Sequence, residues 1–233
     1  MNATNVVINA KDSAEIASNI TANNNVNITA GNGVTFTESA NTASNQGTAV
    51  NVGIGAGATI NVETGVAVPH VNGSVGVNKT DNASSTATGA NVAAGNDIKI
   101  NANNGDVNLH GTNLVSNNSV EVEGNKVNTS GAISSVNEKN LTVNVNGSYA
   151  SGKPNGGINA KGKNEATVTN TANTIQSDNV VITTGSPTGL SVNNTTINGN
   201  NVAYYYDDSK APAANRYTYR PRQPSYAKRR LRY

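Results

Sequence analysis

A chain of 233 residues with 43 Asn, 23 Gly, one Phe, no Trp and no Cys cannot build a large aromatic core, a disulfide framework or a thiolate metal site. The formal net charge of +2 conceals an asymmetry: residues 1–203 carry 8 Lys, no Arg and 12 acids, a balance of −4, whereas the last 30 carry 8 Lys/Arg and 2 Asp, a balance of +6. No apolar run approaches the ~20 residues of a membrane-spanning helix. MNATNVVINAKDSAEI lacks the basic start and apolar stretch of a secretory signal, so the chain reads as a piece of something longer.

In chain order, apolar residues come in alternating pairs separated by Asn, Gly, Asp and Ser, the pattern of short strands with one buried face. Val6 and Ile8, Ala14 and Ile16, Ile20, then Val26 and Ile28 set out one turn, with 20 residues from Val6 to Val26. Val34 and Phe36 start the next side, and residues 2–38 make about one and a half rungs. The clearest copy is GNDIKINANNGDVNLHGTNLVSNNSVEV, residues 95–122. It holds Ile98 and Ile100, Val107 and Leu109, Leu114, then Val120 and Val122, and Ile98 to Val120 is 22 residues. A third copy holds Val180 and Ile182, Leu190 and Val192, and Ile197; Ile98 maps to Val180 at an offset of 82 and Leu114 to Ile197 at 83. A coil of three short sides per turn predicts an all-β parallel β-helix, which buries only a thin aliphatic column and needs no aromatic core. Asn suits its turns and can stack in amide ladders between rungs.

Two stretches break the rhythm. In residues 47–90, TAVNVGIGAG, TINVETGVAV and NGSVGVNKT read as longer alternating strands with Gly-rich turns and Pro69 at a junction. Residues 138–173 have the same character: Leu141, Val143 and Val145 alternate, GKPNGG makes a turn, and Ile158, Ala166 and Val168 return. Both are read as antiparallel β-hairpins that lie along the coil or extend its sheet. The expected organisation is rungs over 1–46, a hairpin insertion over 47–90, rungs over 91–137, a second insertion over 138–173, rungs over 174–203 and a tail over 204–233. Hairpin plus rungs is a duplicated module.

The tail contains seven of the eight Tyr, all six Arg and three of the six Pro, and reads as an extended, disordered basic segment. Its cations interleave with aromatics: Arg216, Tyr217, Tyr219, Arg220 and Arg222, then Lys228, Arg229, Arg230 and Arg232. Guanidinium forks pair with phosphate or sulfate, and Tyr rings stack on sugars or bases. The candidate partners are acidic polysaccharides, lipopolysaccharide phosphates and extracellular DNA; a basic end with no dedicated partner is the plainer reading.

Residues 93–116, AAGNDIKINANNGDVNLHGTNLVS, resemble the haemagglutinin repeat of filamentous-haemagglutinin-like exoproteins, the large adhesins of bacterial two-partner secretion. Gly95-Asn96-Asp97-Ile98, Gly105-Asp106-Val107 and Gly111-Thr112-Asn113-Leu114 carry the match, and Glu38-Ser39 and the Gly-alternating hairpins also look like that family's layout. The resemblance spans residues 2–203. It implies a right-handed coil, a secreted or cell-surface location and, for the full-length protein, an outer-membrane secretion pore as partner. The family's amino-terminal secretion domain is not in this sequence.

Some β-helices are polysaccharide lyases or hydrolases, which need clustered acids and a cation or base. Here Asp97 and Asp106 sit at turns, Glu121 and Glu123 lie on the outward face of a strand, His70 follows Pro69 in an inserted turn, and His110 ends a strand. No catalytic residue, metal ligand or cofactor is expected. The leading reading is a structural and adhesive segment of a surface fibre that attaches to glycans or receptors on host or bacterial surfaces. The rivals are the stalk of a contact-dependent toxin exoprotein and a carbohydrate-active β-helix enzyme.

Overall fold

A computed structural model describes residues 1–207, and every regular element among them is a β-strand. The strands divide into two units, a coil and a separate antiparallel sheet.

The coil is a parallel β-helix. Its first rung is β1 (Asn2–Ala3), β2 (Val6–Ala10) and β3 (Ala14–Ile16), and its second is β4 (Ile20–Ala22), β5 (Val26–Ala30) and β6 (Val34–Phe36). The chain then leaves as β7 (Ser39–Ile60) and β8 (Ala67–Thr88). The third rung is β9 (Asn91–Ala94), β10 (Asp97–Ala102) and β11 (Val107–His110), and the fourth is β12 (Asn113–Ser116), β13 (Ser119–Gly124) and β14 (Val127–Ser130). A second excursion is β15 (Ala132–Ala150) and β16 (Lys153–Thr171). The fifth rung is β17 (Asn173–Gln176), β18 (Asn179–Thr184) and β19 (Leu190–Val192); β20 (Thr195–Asn198) and β21 (Asn201–Tyr206) follow in the sixth.

Corresponding strands stack in register into three parallel sheets, β1-β4-β9-β12-β17-β20, β2-β5-β10-β13-β18-β21 and β3-β6-β11-β14-β19. The sequence spacings are the rung heights: Val6 pairs with Val26, Val26 with Ile98, Ile98 with Val120, Val120 with Val180 and Val180 with Val202. The offsets of 82 and 83 are therefore two rungs plus one excursion. Alternation turns every second side chain inward, so Ile28, Ile98, Ile100, Leu109, Leu114 and Ile175 are fully buried in one continuous core. Each such burial contributes roughly 1.5–3 kcal/mol.

Residues 2–36 form two full rungs, rather than one and a half, because the two-residue β1 already stacks on β4. The last rung also runs further than expected. Tyr204 stacks on Ile182 and Tyr206 on Thr184, so Tyr204–Tyr206 continue the coil in place of opening the tail.

Both excursions leave from the corner between the third strand of one rung and the first strand of the next, and they do so at every second corner. The intervening corner is closed tightly by Gly111. Its φ of +58° suits glycine, and a Cβ there would strike Ala132, the first residue of β15.

The four long strands do not extend a sheet of the coil. They form their own sheet, ordered β7-β8-β15-β16, in which β8 and β15 pair antiparallel from His70–Ala150 to Ser85–Ser135. Pro69 is inside β8 and not at a junction; it lies one residue past the last pair with β15, where the strand has become an edge and tolerates a missing N–H. His70 is likewise a strand residue. The second turn is Ser151-Gly152, with φ of +52° and +74°, in place of GKPNGG. Two positive φ values are what a two-residue type I′ hairpin requires, and Pro154 then falls on the edge strand β16. In the first turn the Asn61 Oδ1 accepts from the N–H groups of Glu63 (2.9 Å) and Thr64 (3.4 Å), an Asx turn, with Gly65 at φ +66°.

Candidate binding surface

The coil's outward positions are what it offers to a partner. On the central sheet, Asn27, Lys99, Glu121, Val181 and Ala203 form one outward column, and Thr29, Asn101, Glu123, Thr183 and Tyr205 a second. Lys99 Nζ lies 2.9 Å from Glu121 Oε2. That hydrogen bond, opposed by desolvation and aided by the nearby Glu123 charge, holds the Lys99 ammonium above its ordinary pKa. Both side chains are well exposed, so the pair contributes little to stability.

At the corner before this sheet the polar side chains tie successive rungs together. Asn5 Oδ1 accepts from the N–H of Asn25 (3.2 Å), and Asn25 Oδ1 from that of Asp97 (3.3 Å). The Asp97 carboxylate accepts from Asn118 Nδ2 and Ser119 Oγ, both at 2.7 Å, and Asn201 Nδ2 donates to Asn179 Oδ1 at 3.0 Å. At the opposite corner Asp106 accepts from Asn125 Nδ2 (2.9 Å) and the Lys126 N–H (3.1 Å). On the third sheet Asn128 donates to Asn108 Oδ1 at 2.9 Å. The abundant Asn is thus an inter-rung ladder, as the composition led one to expect.

The same geometry accounts for the acids and histidines that sequence singled out. Asp106 lies in a turn as expected, whereas Asp97 is the first residue of β10; both carboxylates are occupied by donors from the next rung. Glu121 and Glu123 do lie on the outward strand face, and Glu121 is bridged to Lys99. His110 ends β11 and hydrogen-bonds through Nδ1 to Ser130 Oγ. Among the described residues no group of three or more His, Asp and Glu is placed to hold a metal ion. An open depression of about 300 Å³ is lined by Lys79, Asp81, Lys139 and Lys163, among others.

Arg216, Tyr217, Tyr219, Arg220, Arg222, Lys228, Arg229, Arg230 and Arg232, the expected polyanion-binding residues, lie outside the described residues. Sequence reasoning passed over a polar cluster inside the coil. Asn173 is fully buried, as is the Thr112 whose N–H it binds. Thr195 Oγ1 donates to Thr129 Oγ1 at 2.6 Å. The signal was present: Thr129 stands in the core column where Phe36 and Leu109 precede it.

Stacked three-strand rungs with registered aliphatic columns and outward amide ladders define a β-helical repeat segment, built to extend along one axis. A family model for the hemagglutinin repeat matches residues 71–204, more than half of the chain, and the chain belongs to that family. The match runs from within β8 to the sixth rung, so it takes in both units. The family is one of filamentous-haemagglutinin-like structural adhesin repeats from secreted surface exoproteins. Comparison with curated proteins and with solved structures gave no match.

The glycines of the family pattern have a physical basis here. A Cβ on Gly95 would fall on the carbonyl oxygen of Asn23 in the rung below, so only glycine lets the two corners stack.

Proposed function

We propose that this segment is both shaft and adhesive surface of a secreted bacterial fibre, attaching it to glycans or receptors on host or bacterial surfaces. The observation that carries the reading is the unbroken register from Val6 to Val202, which stacks polar side chains outward at the ~4.8 Å inter-strand repeat. The column Thr29, Asn101, Glu123, Thr183 and Tyr205, with hydroxyl, amide and carboxylate groups in one row, suits an extended polymer with repeating hydroxyls, each contact weak and many made together. Recognition then needs no deep pocket. The basic end of the chain adds long-range attraction to acidic polysaccharide, lipopolysaccharide or DNA.

The test is binding of the full chain to arrays of neutral and acidic glycans, to lipopolysaccharide and to DNA across a salt series. It is repeated with a variant carrying Gln at Arg216, Arg220, Arg222, Lys228, Arg229, Arg230 and Arg232. Binding to surface glycans that survives both high salt and the Gln variant assigns recognition to the coil. Binding lost under both assigns it to the basic end, with the coil as spacer. No binding by either chain overturns the adhesive part of the proposal and leaves a shaft alone.

A further inference from the structure

The four-stranded sheet has two chemically different faces, and one of them is open and apolar. In β8 and β15 the pairing sets Val77 opposite Val143, Val75 opposite Val145, Gly73 opposite Gly147 and Val71 opposite Tyr149. A Cβ on Gly53 would meet Ser74, and one on Gly55 would meet Asn72, which sets Val52 opposite Val75 and Ile54 opposite Gly73. Gly157 faces Asn146 and Gly162 faces Leu141 in the same way, which sets Ile158 opposite Val145 and Gly156 opposite Gly147. Directly opposed residues share a face. Apart from Val136, every exposed large apolar side chain of the sheet therefore lies on one face, with Ile54 at 85%, Ile158 at 77% and Val52 at 67% exposure. The other face is Asn51, Asn72, Asn144, Asn146, Asn159 and Lys161, with Ser, Thr and Gly between.

We propose that this apolar face is the docking surface for the same face of a second copy of the chain, forming a two-sheet sandwich. Three features select that occupant. The first is area: a face about nine to eleven residues long and four strands wide covers roughly 600–700 Å² per copy at ~3.4 Å per residue and ~4.8 Å per strand. With the rim rows counted, about 1,300 Å² between two copies falls within the size of a stable interface.

The second is shape. Val52, Val75, Val145 and Ile158 make a ridge across the sheet, and Gly73, Gly147 and Gly156 make the trough beside it, closed at one end by Ile54. A two-fold axis lying across the strands between these two rows seats Val75, Val145 and Ile158 of each copy over the glycines of the other. Inner faces of aligned sandwiches interdigitate in this way at ~10 Å separation, and an isologous contact needs a self-complementary surface. The third is chemistry. The centre of the face, from Val71 to Val77, carries no charge, so it does not match an acidic or basic partner; its first charges, Lys79 opposite Leu141 and then Asp81 opposite Lys139, are of both signs and form a rim. This inference rests on the sheet alone and stands apart from the adhesive reading of the coil.

The experiment is sedimentation velocity on the full chain from about 1 to 100 μM, against Val145→Lys and Gly147→Val, with circular dichroism to verify that each variant is folded. A Cβ at Gly147 meets only ordinary contact on its own sheet, so both changes leave the protomer intact. Val145→Lys should weaken dimerisation at least tenfold. Gly147→Val discriminates: it adds apolar surface but fills the trough, so it should also weaken the dimer at least tenfold. A wild-type chain that stays monomeric throughout overturns the proposal. So does a dimer that Val145→Lys leaves unchanged, or one that Gly147→Val leaves unchanged or strengthens. Flotation of the monomer with neutral phosphatidylcholine vesicles, lost in Val145→Lys, would assign the face to lipid instead and equally overturn it.

Discussion

Asn173 Oδ1 accepts a hydrogen bond of 2.6 Å from the backbone N–H of Thr112, 61 residues earlier in the chain. Its Nδ2 donates to the Ser130 carbonyl (2.9 Å) and to Thr195 Oγ1 (3.1 Å). One fully buried amide thus joins the corner where the second excursion rejoins the coil to three other points of that corner. Asn173→Ala leaves a buried N–H and a carbonyl without this partner, each worth ~1–3 kcal/mol, and should cost roughly 2–4 kcal/mol in urea unfolding. Asn173→Asp keeps the acceptor but forfeits both donors, and should be no milder. A loss below about 0.5 kcal/mol for Asn173→Ala would show the cluster to be incidental.

Gly95 and Gly47 should respond in opposite ways to the same change. A Cβ at Gly95 falls on the Asn23 carbonyl oxygen, whereas one at Gly47 meets nothing within 4 Å. Gly95→Ala must push two rungs apart and should cost more than ~2 kcal/mol, as overpacking does. Gly47→Ala should be neutral or stabilise by up to ~1 kcal/mol through the unfolded chain. Thermal unfolding of the two variants side by side gives the comparison.

Lys99 carries a pH signature. Its hydrogen bond to Glu121 raises the folded-state pKa above the ordinary 10.5. A raised cation pKa means the folded state holds that proton more tightly, so the contribution is fully present below the unfolded pKa and disappears as pH rises through the folded value. Stability from this pair should accordingly be flat from pH 7 to about 9 and decline above about 10.5. Because the pair is exposed, a double-mutant cycle of Lys99→Met and Glu121→Gln should give a coupling below ~1 kcal/mol at low salt and close to zero at 1 M NaCl.

Ser151 occupies the first position of a turn that demands positive φ, at +52°. Asn tolerates that region better than Ser, and Asn-Gly is the favoured pair for a type I′ hairpin. Ser151→Asn should slow amide exchange along β15 and β16 and stabilise the sheet by a few tenths to ~1 kcal/mol. Unchanged exchange in both strands would show that the turn does not limit their opening.

Much of the coil was legible before any coordinates because its rules are local. Alternation places Ile98 and Ile100 inward whatever surrounds them, and a spacing of 20–22 residues states which residues share a column. Tyr204 and Tyr206 obey the same spacing from Ile182 and Thr184, but their company of Arg, Pro and Tyr drew the tail boundary too early. The Asn ladder was legible in kind, since stacked identical turns bring identical amides together. Its individual bonds, such as Asn118 to Asp97, were not, because each depends on rotamers set by two rungs at once.

By itself, then, the sequence determined a parallel coil of short rungs with a thin aliphatic column, broken twice by long alternating strands. Period-two patterning and a constant rung length are written along the chain. Only the tertiary structure decided that β8 pairs with β15 across two intervening rungs, so that two excursions become one sheet. That pairing is non-local, and no spacing within either hairpin encodes it. It aligns Val75 with Val145 and Gly73 with Gly147, and so turns scattered valines and glycines into one continuous ridge and trough.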